Sequence, residues 1–161
     1  MKELTEYRVK LIERLIEAAD EFRTMCLAVR DVFAPLEEGG WNVHQLAAHT
    51  RDVDQLVYGA RARRTAGETN PEFKSFDGET YMAQHYSATE PLKDILDGLV
   101  ENVDSLAHML RELPVEAWSR ESRHVMLGHG FTLQTWVERD LAHIREHTDA
   151  VKQAAAHGGH E

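Results

Sequence analysis

Three histidines have the spacing of a metal site in a helical protein. His143 and His147 are four residues apart, and His49 lies far upstream. On one helix, a spacing of four places both imidazoles on the same face, with their Cβ atoms about 5–6 Å apart. A second helix carrying His49 would add a third nitrogen, and three neutral imidazoles leave a divalent ion an open position, as in catalytic sites. The sequence therefore predicts a metal site formed by these three side chains.

Each half of this pattern also has a simpler interpretation. A lone histidine on an apolar face usually hydrogen-bonds to a neighbour, and a solvated HxxxH pair on an acidic helix is as common as a ligand pair. The combination of an inward-facing His49 with the pair favours the metal site. His85, in a long connection, is a candidate pocket residue. His108, His124 and His129 lack ligand spacing, and we predict that they face solvent.

Two aspartates lie one helical turn from the candidate ligands. Asp52 follows His49 and Asp140 precedes His143, each by three residues. A carboxylate at this spacing could orient an imidazole N–H or act as a base, although surface charges are also common there. We predict Asp52 and Asp140 as candidate catalytic residues. Cys26 has no evident basic neighbour to lower its pKa and is predicted to be a buried, inert thiol.

Apolar periodicity predicts the helices that must position these residues. In three segments, apolar residues recur at steps of three and four, which places them on one face of a helix. The stripes are Leu4, Tyr7, Leu11, Leu15, Ala18, Phe22, Met25 and Val29; Leu92, Ile95, Leu96, Leu99, Val103, Leu106 and Leu110; and Leu133, Val137, Leu141, Ile144 and Val151.

The second helix is predicted from its start signal. Asn42 can cap the helix while Gln45 reaches back to the cap, and Trp41 precedes them as a hydrophobic staple. A second staple, Phe131 with Trp136, predicts that the last helix opens at Thr132. The inward face of helix two is predicted to be Leu46, His49, Val53, Leu56 and Ala60.

Two connections interrupt the helical pattern. Residues 67–88 are rich in Gly, Asn, Pro and Ser but also carry aromatic residues, and we predict a long connection with a short helix near 77–86. Such a segment could be a functional lid or simple packing over one end of the bundle. Residues 114–130 are predicted to be irregular, because they contain glycines without apolar periodicity.

Length and composition bound the class of protein. A chain of 161 residues fits one domain, assigned to residues 1–156, with a frayed tail at 157–161 that contains His157 and His160. One cysteine excludes an intrachain disulfide, and the N-terminus shows no targeting or membrane segment, so a cytoplasmic protein without a membrane partner is expected.

Charge argues against a nucleic-acid partner. The formal net charge is −10, which opposes rather than attracts a phosphate backbone. The densest basic stretch is Arg61, Arg63 and Arg64. Cations are favoured at the C-terminal end of a helix, and contact with an anionic substrate is the lesser alternative.

The chain resembles the DinB/YfiT-like metalloenzyme superfamily. The resemblance rests on WNVHQLAAHTRDVDQ, which opens helix two, and on DLAHIREHTDAV in the last helix, and it spans essentially the full length. It implies an all-α, up-down-down-up four-helix bundle with a long loop and short helix between helices 2 and 3. It also implies that the protein forms a homodimer, as members of this superfamily frequently do. The expected metal ligands are His49, His143 and His147, and water completes the coordination of the divalent ion.

Such a site could catalyse either of two reactions on a small-molecule substrate, and the sequence does not decide between them. An activated water would give hydrolysis, whereas a low-molecular-weight thiol as cosubstrate would give S-transfer, as in some relatives. Zinc or nickel is expected ahead of iron or cobalt. The alternative from a different class is a non-catalytic, stress-associated module that binds metal or dimerises.

Overall fold

Four helical rods form a bundle in the part of the chain that the computed structural model describes. Backbone is described for residues 2–158 and side chains for 2–155, so the predicted tail at 157–161 lies at the edge of this range and beyond it. The elements are α1 (Lys2–Leu27), α2 (Val43–Val53), a π-helical turn (Asp54–Tyr58), α3 (Gly59–Gly67), β1 (Glu72–Phe73), α4 (Gly78–His85), α5 (Leu92–Glu112), a 3₁₀ turn (Val115–Ser119), β2 (Glu121–His124), β3 (Gly128–Thr132) and α6 (Leu133–Gly158).

The first and last helices run parallel, as two pairs of side chains show. The Tyr7 hydroxyl donates to Glu138 near the start of both helices, and Lys152 pairs with Glu21 further along both. Positions fourteen residues apart on α1 thus meet positions fourteen residues apart on α6, in the same order. The apolar stripes of both helices pack in one core, except for Leu4 at the start of α1, which is 37% exposed.

The second rod and α5 also run parallel. Gly98 packs against the Arg51 side chain, and further along both helices Arg63 donates to Ser105 at 3.0 Å. Two consecutive parallel helices need a connection that returns along the bundle, which explains the long segment between them. With α1 and α6 parallel, the predicted up-down-down-up bundle is confirmed.

One π-helical turn changes the inward face of helix two. The Gly59 N–H donates to the Asp54 carbonyl, five residues back, so this turn holds more residues than a regular one. Residues beyond the turn are rotated relative to a straight α-helix. Leu56 is therefore 43% exposed, and Val57 is buried in its place. The prediction that Leu56 faces inward was wrong, because sequence periodicity assumes an uninterrupted helix.

A small sheet covers one side of the bundle and was not predicted. β2 pairs with β1 in parallel and with β3 in antiparallel orientation. The β2–β3 turn contains Gly128 at φ +96°, a backbone conformation that favours glycine. His124 was predicted to face solvent, but it is buried, and its Nδ1 accepts from the N–H groups of Met126 and Leu127. That prediction was wrong because an alternating strand places it inward.

Trp136 joins the last helix to this sheet. Its ring stacks on Phe131 with centroids 5.0 Å apart, as the predicted staple requires, and its Nε1 donates to Ser122 at 2.7 Å. The Arg61 guanidinium lies 4.8 Å from the Trp136 ring and donates to the Lys74 carbonyl. Arg61 was predicted only as a cation at a helix end. In the structure it points inward and holds the long connection through its bond to Lys74.

No helix within the described ranges combines the length and apolar character needed to cross a membrane. The exposed His108 and His129 agree with prediction.

Candidate metal centre

The start of α2 fixes the position of His49. Asn42 accepts the N–H of Gln45 at 2.7 Å, and the Gln45 side chain accepts the Asn42 N–H at 3.0 Å. This reciprocal capping box confirms the predicted helix start. The ring of Trp41 lies 4.8 Å from the His49 ring, so the residue before the cap also forms one wall of the site.

The three predicted ligands meet in space. The Nε2 atoms of His143 and His147 are 2.9 Å apart, and the His49 ring lies 5.3 Å and 5.2 Å from the two other rings, centroid to centroid. One nitrogen from each histidine lies within 4.8 Å of the others. The helical spacing and the packing of α2 against α6 thus bring together residues almost a hundred positions apart.

Burial keeps all three imidazoles neutral at pH 7. Burial lowers the pKa of His49 to about 4, that of His143 to about 3 and that of His147 to about 4. For His49 and His143, the neighbouring imidazoles lower the pKa further. A neutral imidazole offers a lone pair, which is the form that binds a metal ion.

The residues present fit a divalent ion. Imidazole nitrogens bind zinc at roughly 2.0–2.1 Å, so two ligating nitrogens 2.9 Å apart can both reach one ion. When the Nε2 of His143 binds a metal, its Nδ1 carries the proton, and this buried Nδ1 has no hydrogen-bond partner among the described residues. The donor set is soft enough for zinc, nickel, iron or cobalt, and it leaves coordination positions open.

Aromatic rings and a glycine close around the centre. The Tyr58 ring, on the π-helical turn, lies 5.6 Å from the His143 ring. Gly78, the first residue of α4, lies so close to His49 that a Cβ there would be 3.0 Å from the imidazole Cε1. The short helix in the long connection, predicted near 77–86, therefore packs directly on a candidate ligand.

A cleft of ≈ 1070 Å³ opens beside the centre. His147 and Trp41 are among its lining residues, together with apolar side chains such as Leu46 and polar ones such as Arg30. Such a volume suits a small organic molecule rather than a single ion. His147 thus lies where a bound molecule could reach it.

Asp52 does not join the histidines. Its carboxylate accepts from Arg51 at 3.0 Å, and Arg51 also pairs with Glu90 at 2.6 Å. Burial raises the pKa of Asp52, while the neighbouring Arg51 opposes that rise. Asp52 thus bonds to Arg51 on its own helix, Arg51 connects α2 to the segment just before α5, and no described hydrogen bond of Asp52 orients an imidazole.

Asp140 lies in the core and meets a residue that the sequence did not single out. Asp140 is 0% exposed and Asp54 is 1% exposed. Burial and the Asp54 carboxylate raise the pKa of Asp140 well above its ordinary value, which favours the protonated form of Asp140. Neither Asp140 oxygen has a hydrogen-bond partner in the described part of the chain. Asp54 directly follows α2 and continues the buried face of Ala47 and Thr50.

Two further histidines have structural contacts. His44 is buried, with Nε2 2.7 Å from the Glu90 carbonyl and Nδ1 2.6 Å from the Tyr86 hydroxyl. Both its nitrogens are therefore engaged, and it holds the end of the long connection on α2. His85, the candidate pocket residue, is exposed and stacks on Tyr81 with centroids 4.1 Å apart.

Comparison with known proteins agrees with this architecture. A solved structure of YfiT from Bacillus subtilis, reported as a probable metal-dependent hydrolase with an unusual four-helix bundle topology, matches with a TM-score of 0.87 at 22% identity. The match covers 96% of this chain and 89% of that one. No curated protein matches the chain. The sequence profile of the DinB superfamily matches residues 14–151, and the chain therefore belongs to that superfamily.

Proposed function

We propose that this protein is a metal-dependent hydrolase acting on a small molecule, with His49, His143 and His147 holding the metal. The observation that carries the proposal is the convergence of three neutral imidazoles beside a cleft large enough for an organic substrate. All-nitrogen ligation with open positions is the donor set of catalytic metals rather than structural ones. The name given to YfiT agrees with this assignment.

A divalent ion bound here would supply Lewis acidity and lower the pKa of a water molecule. The protein's own residues do the rest. Trp41 and Leu46 offer apolar surface for the body of a substrate, and His147 connects this surface to the metal ligands. The partly buried rings of Trp41 and Tyr58 limit the access of bulk water, which strengthens electrostatic interactions at the centre.

Transfer of a thiol is the second chemistry that such a site would support. The single cysteine, Cys26, is buried, and its pKa is raised to about 12, so the chain does not supply the thiol itself. S-transfer would therefore need a low-molecular-weight thiol from solution. The homodimer and the cytoplasmic location stay predictions, as do catalytic roles for Asp52 and Asp140.

Metal content is the first test. We expect about one zinc or nickel ion per chain, and loss of that ion from His143→Ala, measured by elemental analysis after dialysis. His108→Ala is the matched control, because His108 is an exposed histidine outside the cluster. Both variants keep the histidines of the tail, so adventitious binding there cancels. Equal metal content in the two variants would overturn the ligand assignment.

Reaction class is the second test. The metal-loaded protein is assayed against small ester and amide substrates, and separately against electrophiles with low-molecular-weight thiols. Hydrolysis that is lost in His143→Ala and retained in His108→Ala supports the proposal. Turnover only with added thiol would assign S-transfer, and no turnover with metal bound would favour a non-catalytic metal-binding module.

A further inference from the structure

A buried arginine without an acidic partner lies near the start of α1. Arg8 is 7% exposed, and its guanidinium donates to the Gln134 side chain at 3.0 Å and to the Val115 carbonyl at 3.3 Å. It also lies 5.5 Å from the Trp118 ring. Within the described ranges, no carboxylate forms an ion pair with it, and burial alone lowers its pKa. Buried charges in proteins are normally paired, so this cation lacks its usual counterpart.

A second unpaired cation lies at the same place. Arg8 and Arg111 both line a pocket of ≈ 340 Å³ between the first turns of α1 and the end of α5. Arg111 is exposed and has no ion pair with any described residue. The pocket lining contains no aspartate or glutamate, although the chain carries 28 acidic residues against 18 basic ones. The residues that line the pocket therefore carry only positive charge, whereas the whole protein has a net negative charge.

The rest of the pocket is apolar and partly open to solvent. Val9 is 51% exposed and Val115 is 46% exposed at the pocket, while Ile12 and Trp118 form its buried surface. A volume of ≈ 340 Å³ lies near the lower limit for small-molecule pockets. These features suit a small molecule that carries one apolar group and one anionic group.

We propose that this pocket, lined by Arg8, Arg111 and Trp118, binds a small carboxylate with an apolar body, such as a short-chain fatty acid. The carboxylate would pair with the two guanidinium groups through charge-assisted hydrogen bonds, and the hydrocarbon would cover the exposed valines. Arg8 lies about twenty residues along α1 from the residues that line the cleft at the metal centre, which is roughly 30 Å of helix. The pocket is thus separate from the centre and does not depend on the proposed hydrolase activity.

The test uses hexanoate, 1-hexanol and hexylamine as matched probes on full-length protein dialysed against a chelator. Affinity is measured by calorimetry, and the Trp118 indole N–H signal is followed by NMR to locate the site. We expect hexanoate to bind at least about tenfold more tightly than hexanol, with a shift of the Trp118 signal, and hexylamine not to bind.

Three variants complete the test. Arg111→Gln changes an exposed residue and should weaken hexanoate binding about three- to tenfold, and Arg8→Gln should weaken it further. Arg14→Gln, an exposed arginine of the same helix outside the pocket, should bind as wild type. Equal affinity for the three probes, an unmoved Trp118 signal, or binding unchanged in Arg111→Gln would overturn the proposal.

Discussion

Gly78 lies directly against the imidazole of His49. A Cβ at position 78 would be 3.0 Å from Cε1 of that ring and 3.3 Å from Nδ1. Asp77 caps the helix that begins at Gly78 by accepting the Thr80 N–H at 3.1 Å, so the backbone at this contact is held in place. The absence of a side chain at position 78 thus allows the long connection to close over a candidate metal ligand.

Gly78→Ala should weaken metal binding by about tenfold without unfolding the bundle. The added methyl group would move either α4 or the His49 ring, and groups that orient ligands typically change metal affinity by about 10–100-fold. Metal titration monitored by competition with a chromogenic chelator measures the change. Gly67→Ala is the matched control, because a Cβ at Gly67 meets no atom within 4 Å. Equal affinities in the two variants would show that the contact does not position His49.

Asp140→Asn should make stability less sensitive to pH in the metal-free protein. Burial raises the pKa of Asp54 to about 6 and that of Asp140 above its ordinary 3.8. Because the folded state binds these protons more tightly than the unfolded state, their stabilising contribution is complete below pH 3.8 and is lost as pH rises through about 6. An asparagine amide does not titrate and still donates to Asp54. Between pH 4 and 7.5, the free energy of unfolding of the variant should therefore fall by roughly 1–3 kcal/mol less than that of wild type. Urea unfolding at each pH measures this difference.

Asp140→Ala separates this effect from simple loss of a charge. Alanine supplies no donor to Asp54, so this variant should be less stable than Asp140→Asn at pH 7.5 by roughly 1–3 kcal/mol. The three lowered histidine pKa values act in the opposite direction and destabilise the folded state as pH falls below 6.5. They are common to all three proteins and cancel in the comparison. Parallel pH profiles for wild type and Asp140→Asn would contradict the raised pKa of Asp140.

The bundle and the three histidines could be predicted from the sequence because both depend on short-range periodicity. The stripe from Ile95 to Leu110 is buried along α5, as a regular helix requires. His143 and His147 share a face by spacing alone, and the capping box at Asn42 fixes the helix that carries His49.

The remaining features depend on contacts between distant segments. Asp54 continues the buried face of α2 that Ala47 and Thr50 share, and only the packing of α6 brings Asp140 beside it. His124 becomes buried only because β2 lies between two strands, one of them about fifty residues upstream. Neither partner is visible in the local sequence pattern. The pattern also does not show the π-helical turn, and for that reason it placed Leu56 on the wrong face of the helix.

Deletion of Leu56 should therefore be tolerated. Leu56 lies within the π-helical turn and is 43% exposed, so its removal would convert the turn to regular α-helix while both flanking segments keep their faces. We expect the free energy of unfolding to fall by less than about 2 kcal/mol, with metal binding retained. Deletion of the exposed Glu101 in α5 is the control, because it rotates every later residue of a regular helix by roughly 100°. Urea unfolding measures the free energy of unfolding of the two deletion variants. An equal decrease in both would contradict the role of the turn in accommodating one extra residue.

Cys26 should react with iodoacetamide only when the protein unfolds. The thiol is 0% exposed, and burial raises its pKa to about 12, so at pH 8 only on the order of one molecule in ten thousand carries the thiolate that attacks. Intact-mass spectrometry should show less than about 1% of the modification rate found in 6 M guanidinium. The rate should rise with denaturant in parallel with the loss of helical circular dichroism. Rapid modification of the native protein would instead show an accessible thiol, and the chain itself could then supply the nucleophile that S-transfer at the metal centre requires.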